Sequence, residues 1–233
     1  MIENLYKSFF IQRYLEFSTK GGRSSVAGII CTVFGSTGFL GRYTVNSFGS
    51  VGTQVVVPYR GDETKYSHLK VMGDIGQIVP RLWDIRNPDS IYESVKHSDI
   101  VINLLGSRWD TRNFKLEDVN IDGAKKIADI SKAAGVERLI HISTAEYDVN
   151  SDCKWVRTKS IGEDAVRESF PGVTVLRPTK FFGSEDSFTV HMAHRMKYWP
   201  VYPLIYPNRK YIFIQFFYIC FTKLYSQNST STY

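Results

Sequence analysis

The stretch TVFGSTGFLGRY, residues 32–43, sets Gly35, Gly38 and Gly41 at three-residue intervals between an apolar β-branched run and a segment of helical period. A strand that enters a helix through such a turn leaves unpaired backbone N–H groups at the helix start, aimed beyond the strand's carboxyl end. Gly35 permits the tight turn, Gly38 lets the backbone approach a pyrophosphate, and Gly41 lets the helix lie close against the sheet. Ser36, Thr37, Phe39 and Leu40 fill the turn and contribute its amides. The spacing is G-x-x-G-x-x-G and not G-x-G-x-x-G, so the reading rests on context: a strand before, a helix after, in the first βα unit of the chain.

Working outward, the run GIICTVFG (28–35) is followed by QVVVPYR (54–60), IVPRLWD (78–84), DIVINLLG (99–106), RLIHIST (138–144) and VTVLRP (173–178). These short, nearly continuous apolar runs predict strands covered on both faces, which are parallel strands. Segments of helical period lie between them: residues 40–48, residues 88–98 with Ile91 and Val95 four apart, residues 117–135 with Val119, Ala124, Ile127 and Ile130, and residues 157–170. Parallel neighbours need crossovers, and helices must cover both faces. The pattern therefore predicts an α/β fold, a Rossmann-type doubly wound parallel sheet with helices on both faces.

The chain of 233 residues is 43% hydrophobic, with a formal net charge of +6 spread along its length. That dispersal argues against nucleic-acid binding. Cys31, Cys153 and Cys220 stand far apart, and His191 and His194 lack the further spacing of a zinc helix, so no metal is assigned. Residues 1–21 mix Leu5, Phe9 and Phe10 with Lys7, Arg13 and Lys20, which suits either an amphipathic mitochondrial presequence or an N-terminal arm; Glu3 and Glu16 count against the presequence. Residues 22–199 read as the nucleotide-binding domain and 200–233 as an atypical aromatic-rich tail. Within the tail, YIFIQFFYICFTKLY (211–225) is shorter than the roughly twenty apolar residues of a membrane-spanning helix and is interrupted by Gln215. It reads as a buried strand or helix, with a peripheral membrane contact as the alternative.

The end of the second strand discriminates between cofactors. Nucleotide sites that prefer NAD(H) carry a carboxylate about twenty residues past the glycines, for the adenosine ribose hydroxyls. This chain has Arg60 there, and Arg42 directly after Gly41. Two guanidiniums suit a 2′-phosphate and favour NADP(H), while Asp62 nearby leaves NAD(H) open.

The stretches GRSSVAGIICTVFGSTGFLGRY (22–43), HLKVMGDIGQIVP (68–80), VINLLG (101–106), RNFKLEDVN (112–120) and AAGVERLIHIS (133–143) resemble the nucleotide-binding accessory subunits of mitochondrial respiratory complex I. These are an atypical branch of the short-chain dehydrogenase/reductase superfamily. The resemblance runs from about Gly22 to Trp199, beyond which the sequence departs from the lobe that covers the cofactor in such proteins. It implies a tightly held NADPH, a place among other complex I subunits on the matrix side of the inner membrane, and a role in assembly or stability. It implies Gly35, Gly38 and Gly41 as the pyrophosphate turn, Arg42 and Arg60 as 2′-phosphate contacts and Asp84 as the adenine-side acid. Asn103, Leu104 and Gly106 would line the end of the fourth strand, and Ser143 and Lys159 match positions of the catalytic set in active relatives.

Active short-chain dehydrogenases are similar in placing a tyrosine four residues before that lysine, so that both side chains share one helix face. Here the stretch is WVRTK, residues 155–159, with Trp155 in the acid's place. An indole N–H cannot deliver a proton to an alkoxide at neutral pH, which removes a contribution of roughly 10²–10⁴-fold. Cofactor retention without efficient catalysis is the expected behaviour. The alternative is a soluble NADP(H)-dependent reductase or epimerase-like enzyme, supported by Ser143 and Lys159.

Overall fold

The computed structural model describes residues 27–183, 185–198 and 213–215. The expectations for residues 1–21, and for most of the C-terminal tail, fall outside them. The described chain forms two compact units, the first ending at Leu176 and the second beginning at Arg177.

The first unit is built on six strands: β1 (Ile30–Phe34), β2 (Gln54–Tyr59), β3 (Ile78–Leu82), β4 (Ile100–Asn103), β5 (Arg138–Ile142) and β6 (Thr174–Leu176). They form one sheet in the order β3-β2-β1-β4-β5-β6, every pair parallel. Each expected strand is present. β1 and β4 stand at the centre and are almost wholly buried, whereas β3 exposes Arg81 and Leu82 and β6 is half-buried throughout, because these two are the sheet edges. Pro80, which has no N–H to give a ladder, sits in β3 as an edge strand allows.

The helices are α1 (Phe39–Ser50), the single-turn α2 (Thr64–Ser67), α3 (Pro88–Val95), α4 (Gly123–Ala133) and α5 (Lys154–Ser169). Asn87 caps α3 by accepting the Asp89 N–H at 3.0 Å, with Pro88 in the first turn. Ile91, Val95, Ala124 and Ile127, taken from the helical period, are buried in a core with Phe34, Trp83, Val101 and Leu139. α5 begins at Lys154, three residues earlier than its periodicity indicates, and so includes Trp155.

One departure bears on the site. α4 is preceded by a wider, π-helical turn over Asp118–Asp122. α5 packs against it so closely that a Cβ on Gly162 would lie 2.0 Å from the Asn120 carbonyl oxygen. The wide turn aims the buried Asn120 side chain at Ser107 and Thr158; such bulges recur at functional positions.

The second unit contains β7 (Lys180–Phe182), α6 (Ser187–Tyr198) and β8 (Phe213–Gln215), with β7 and β8 paired in parallel. β8 is the described part of the aromatic stretch 211–225. Among the described residues, no helix is long and apolar enough to cross a membrane.

Candidate functional site

The glycine turn joins β1 to α1. Gly35 has φ +82°, a left-handed conformation that favours glycine, and a Cβ there would lie 3.2 Å from the Leu104 backbone. The turn therefore touches the end of β4, where the strand order reverses, which is the place for a ligand crevice in a doubly wound sheet. A Cβ on Gly41 would lie 2.3 Å from the Gly35 oxygen and 2.5 Å from the Ser36 Cα, so α1 rests directly on the turn. Gly38 is different: exposed, with only the Gly35 oxygen at 3.2 Å from its would-be Cβ, it leaves room for a ligand. It precedes α1 without a side-chain cap, and the first turn of α1 carries no acid. The opening amides are thus presented to the crevice. Ser36 is buried, its hydroxyl 3.5 Å from the Pro58 carbonyl of β2, while Thr37, Phe39 and Leu40 are half-buried.

Arg42 is half-buried beside the turn, and Arg60 is exposed at the end of β2. The Arg60 guanidinium lies 5.6 Å from the centre of the Phe114 ring, and that of Arg86 lies 4.4 Å from the same ring. Arg86 also donates from Nη2 to the Asn113 carbonyl at 2.7 Å. Three guanidiniums and no carboxylate in the first turn suit an anionic ligand. Asp84 is exposed after β3, and its Oδ1 accepts the Arg86 N–H at 2.8 Å.

The ends of β4 and β5 hold a buried polar group. The side chain of Asn103 is turned inward: its Oδ1 accepts the Leu105 N–H at 3.0 Å, and its Nδ2 lies 3.2 Å from His141 Nδ1. Asn103 therefore shapes the crevice from beneath, by fixing the strand end. Leu104 contributes backbone, its N–H donating to the Phe34 carbonyl at 3.0 Å. Burial pushes the His141 imidazole down to about 3, helped by the nearby Lys159 charge, so the ring is neutral at physiological pH.

Lys159 donates from Nζ to the Leu105 carbonyl at 2.9 Å and to the Ile142 carbonyl at 3.4 Å, joining the ends of β4 and β5. Burial lowers its pKa to about 8. A Cβ on Gly106 would come within 2.8 Å of that nitrogen, so the bare backbone there is what admits the ammonium. The Ser143 hydroxyl, at the end of β5, is buried without a hydrogen-bond partner. An unpartnered hydroxyl, an ammonium with a proton to spare and an open glycine turn fit a dinucleotide laid across the carboxyl ends of the strands.

Trp155 lies one turn before Lys159 on α5, and the Arg108 guanidinium stands 5.7 Å from its ring centre. Tyr147 offers no substitute acid at this point, since its hydroxyl donates to the Asp164 carboxylate at 2.8 Å.

The structure thus brings together the glycine turn, Leu104, Gly106, Ser143 and Lys159, and puts Arg60 and Asp84 at the ends of β2 and β3. Sequence reasoning missed Arg86, Phe114, Asn120 and His141. Phe114 and Asn120 lie in RNFKLEDVN, and Arg86 stands two residues beyond Asp84; only those neighbourhoods signalled them.

A model of the NAD dependent epimerase/dehydratase family matches residues 31–199. The chain is 51% identical over 175 residues to NADH dehydrogenase (ubiquinone) 1 alpha subcomplex subunit 9, mitochondrial, of Rattus norvegicus, covering 75% of this chain and 46% of that protein. It is 50% identical over 174 residues to the NADH-ubiquinone oxidoreductase 40 kDa subunit, mitochondrial, of Neurospora crassa, with the same two shares, 75% and 46%. The chain spans about half the length of these curated relatives. Among solved structures, Pen from Bacillus thuringiensis superposes with TM-score 0.69 at 16% identity, over 81% of this chain and 63% of that one. UDP-glucuronic acid 4-epimerase from Bacillus cereus, in complex with NAD, gives 0.57 at 18% identity, over 68% and 58%. These two likenesses are of fold.

Proposed function

The chain belongs to the NAD dependent epimerase/dehydratase family, and on that premise we propose that it is an accessory subunit of mitochondrial complex I that holds NADP(H) and turns over no substrate. Family membership supports binding of a dinucleotide of the NAD(P) type. Preference for NADP(H) is supported by Arg42, Arg60 and Arg86, because a 2′-phosphate takes charge-assisted hydrogen bonds from guanidinium groups, each contributing about 1.5–3 kcal/mol. Gly35, Ser36, Thr37, Gly38, Phe39, Leu40 and Gly41 hold the pyrophosphate through backbone amides. Ser143 and Lys159 face the nicotinamide ribose, and Asp84 stands on the adenine side. A mitochondrial place beside other complex I subunits is supported by the names of relatives 42–51% identical to this chain; the matrix side of the inner membrane is what the resemblance of the sequence implies.

The observation that carries the non-catalytic part is Trp155. It stands where a proton donor would be required, one helical turn from a lysine already committed to two carbonyls, with a guanidinium over its ring. When bound, the nucleotide supplies a hydride donor or acceptor. This chain's residues bind and orient it but present no group able to move a proton to a substrate oxygen at that position.

The test is native electrophoresis of gently solubilised mitochondria with detection of this chain. Co-migration with assembled complex I is expected; recovery solely as a free soluble species would contradict the reading.

A further inference from the structure

Residues 107–116, between β4 and the π-helical turn, are pinned to that turn at both ends and braced internally between the pins. Asn120 grips Ser107 from both sides, its Oδ1 accepting the Ser107 N–H at 3.1 Å and its Nδ2 donating to the Ser107 carbonyl at 3.2 Å. At the other end Asp118 Oδ2 accepts the Lys115 N–H at 2.7 Å. Between them the Phe114 carbonyl accepts the Thr111 N–H at 2.8 Å and the Thr111 hydroxyl at 3.0 Å. The stretch between the two pins is a short loop held together by its own hydrogen bonds.

Besides those pins, the loop is latched at two further, distant places. Toward the start of α5, Asp110 Oδ2 pairs with Lys154 Nζ at 3.0 Å, and the Arg108 guanidinium covers Trp155. Toward the ends of β2 and β3, Phe114 meets the guanidiniums of Arg60 and Arg86, and the Asn113 carbonyl accepts from Arg86. β5 leads into α5, while β2 and β3 lie beyond β1 on the other side of the strand-order reversal. A ligand laid across the carboxyl ends from Arg60 to Lys159 therefore runs along this segment for its whole length.

We propose that residues 107–116 form a strap whose ionic and cation–π latches set how long the dinucleotide stays bound; the proposal rests on the nucleotide-binding reading above. Asp110 is the pivotal residue. Its Oδ1 accepts the Leu116 N–H at 2.7 Å inside the strap, and its Oδ2 holds Lys154 outside it. Both members of the pair are partly exposed, 38% for Lys154 and 49% for Asp110, so the latch is weak enough to open and sensitive to salt. Phe114 is the matching residue at the other end. One ring holds both guanidiniums, and opening the strap there releases the cations that face the ligand's phosphate end.

The experiment loads the full chain with NADPH, chases it with excess NADP⁺ and follows nicotinamide fluorescence. Asp110→Asn keeps the acceptor for Leu116 and removes only the charge facing Lys154. Dissociation is expected to quicken about two- to fivefold at low ionic strength, the range for an exposed pair, and the difference should vanish at high salt. Phe114→Leu is expected to quicken it roughly three- to tenfold through loss of both cation–π contacts. Lys154→Met, which also loses the 3.8 Å approach to Glu117, is measured beside these, and Asp110→Asn combined with Lys154→Met should be no faster than Lys154→Met alone, because the Asp110 latch is already gone there. Unchanged melting temperatures establish that the variants fold, and faster amide exchange in residues 107–116 of Asp110→Asn reports the open latch directly. Wild-type release rates in Asp110→Asn and Phe114→Leu, or effects of Asp110→Asn and Lys154→Met that multiply in their double, would overturn the strap. Wild-type chain that takes up neither nucleotide in calorimetry would instead overturn the binding reading, and the strap's function with it.

Discussion

Alanine at Gly38 and alanine at Gly41 should separate fold from function within one turn. A Cβ at Gly41 would stand 2.3 Å from the Gly35 oxygen and 2.5 and 2.6 Å from the Ser36 Cα and carbonyl carbon, all backbone atoms that cannot rotate away. The first turn of α1 must then lift off the glycine turn, a form of overpacking that costs about 1–3 kcal/mol. At about 2–4 °C per kcal/mol for a domain of this size, Gly41→Ala should melt roughly 2–12 °C lower and should bind nucleotide poorly. At Gly38 the backbone is extended, φ −78° and ψ 172°, and the new methyl would meet only the Gly35 oxygen at 3.2 Å. Gly38→Ala, at the N-cap of α1, should therefore cost about 1 kcal/mol or less, while the methyl projects where a pyrophosphate must approach. The expected loss of affinity is at least about tenfold, or 1.4 kcal/mol. Thermal melts and calorimetric titration of the two variants with NADPH make the comparison. Wild-type affinity in Gly38→Ala would refute the assignment of the turn to the pyrophosphate; wild-type melting in Gly41→Ala would refute the packing argument.

Further outcomes follow from the polar group beneath the crevice. Lys159, held at about 8 in the fold against a usual 10.5, makes the unfolded chain bind more protons between those values, so its contribution to stability rises with pH across that window. The difference between wild type and Lys159→Met in urea titrations should change by up to about 3 kcal/mol from pH 8 to 10.5 and be flat below pH 8. His141, depressed to about 3 by burial, contributes stability that is full above pH 6.5 and lost as pH falls toward 3; His141→Gln should flatten that acid limb. Asn120→Ala strips partners from Ser107 and Thr158 and should cost about 2–3 kcal/mol in chemical denaturation. Trp155→Tyr, assayed for NADPH-dependent carbonyl reduction, should rise at least about tenfold above a silent wild type, within the reach of general acid catalysis; robust wild-type turnover would favour the reductase alternative.

The six strands and their parallel arrangement were legible because short, nearly continuous apolar runs alternating with segments of helical period have few other homes. Gly35 and Gly41 were legible for the same reason, since one needs a positive φ and the other lies against bare backbone. Asn120 was not, because it reads as an ordinary helical residue until the π-helical turn redirects its side chain. Phe114 and Arg86 meet only through the course of residues 107–116, which periodicity does not encode. Asn103 could be placed at the strand end from sequence, but that its amide serves Leu105 and His141 depends on a neighbouring strand's register. Trp155 was the reverse case: the resemblance to short-chain dehydrogenases marked its place four residues before Lys159, and the structure added the guanidinium over its ring.

Native mass spectrometry of the purified full chain addresses the central claim most directly. A retained mass equal to NADP(H), displaced by added NADPH but not by an equal concentration of NADH, is the predicted result. A bare polypeptide that takes up neither nucleotide at saturating concentration would contradict it.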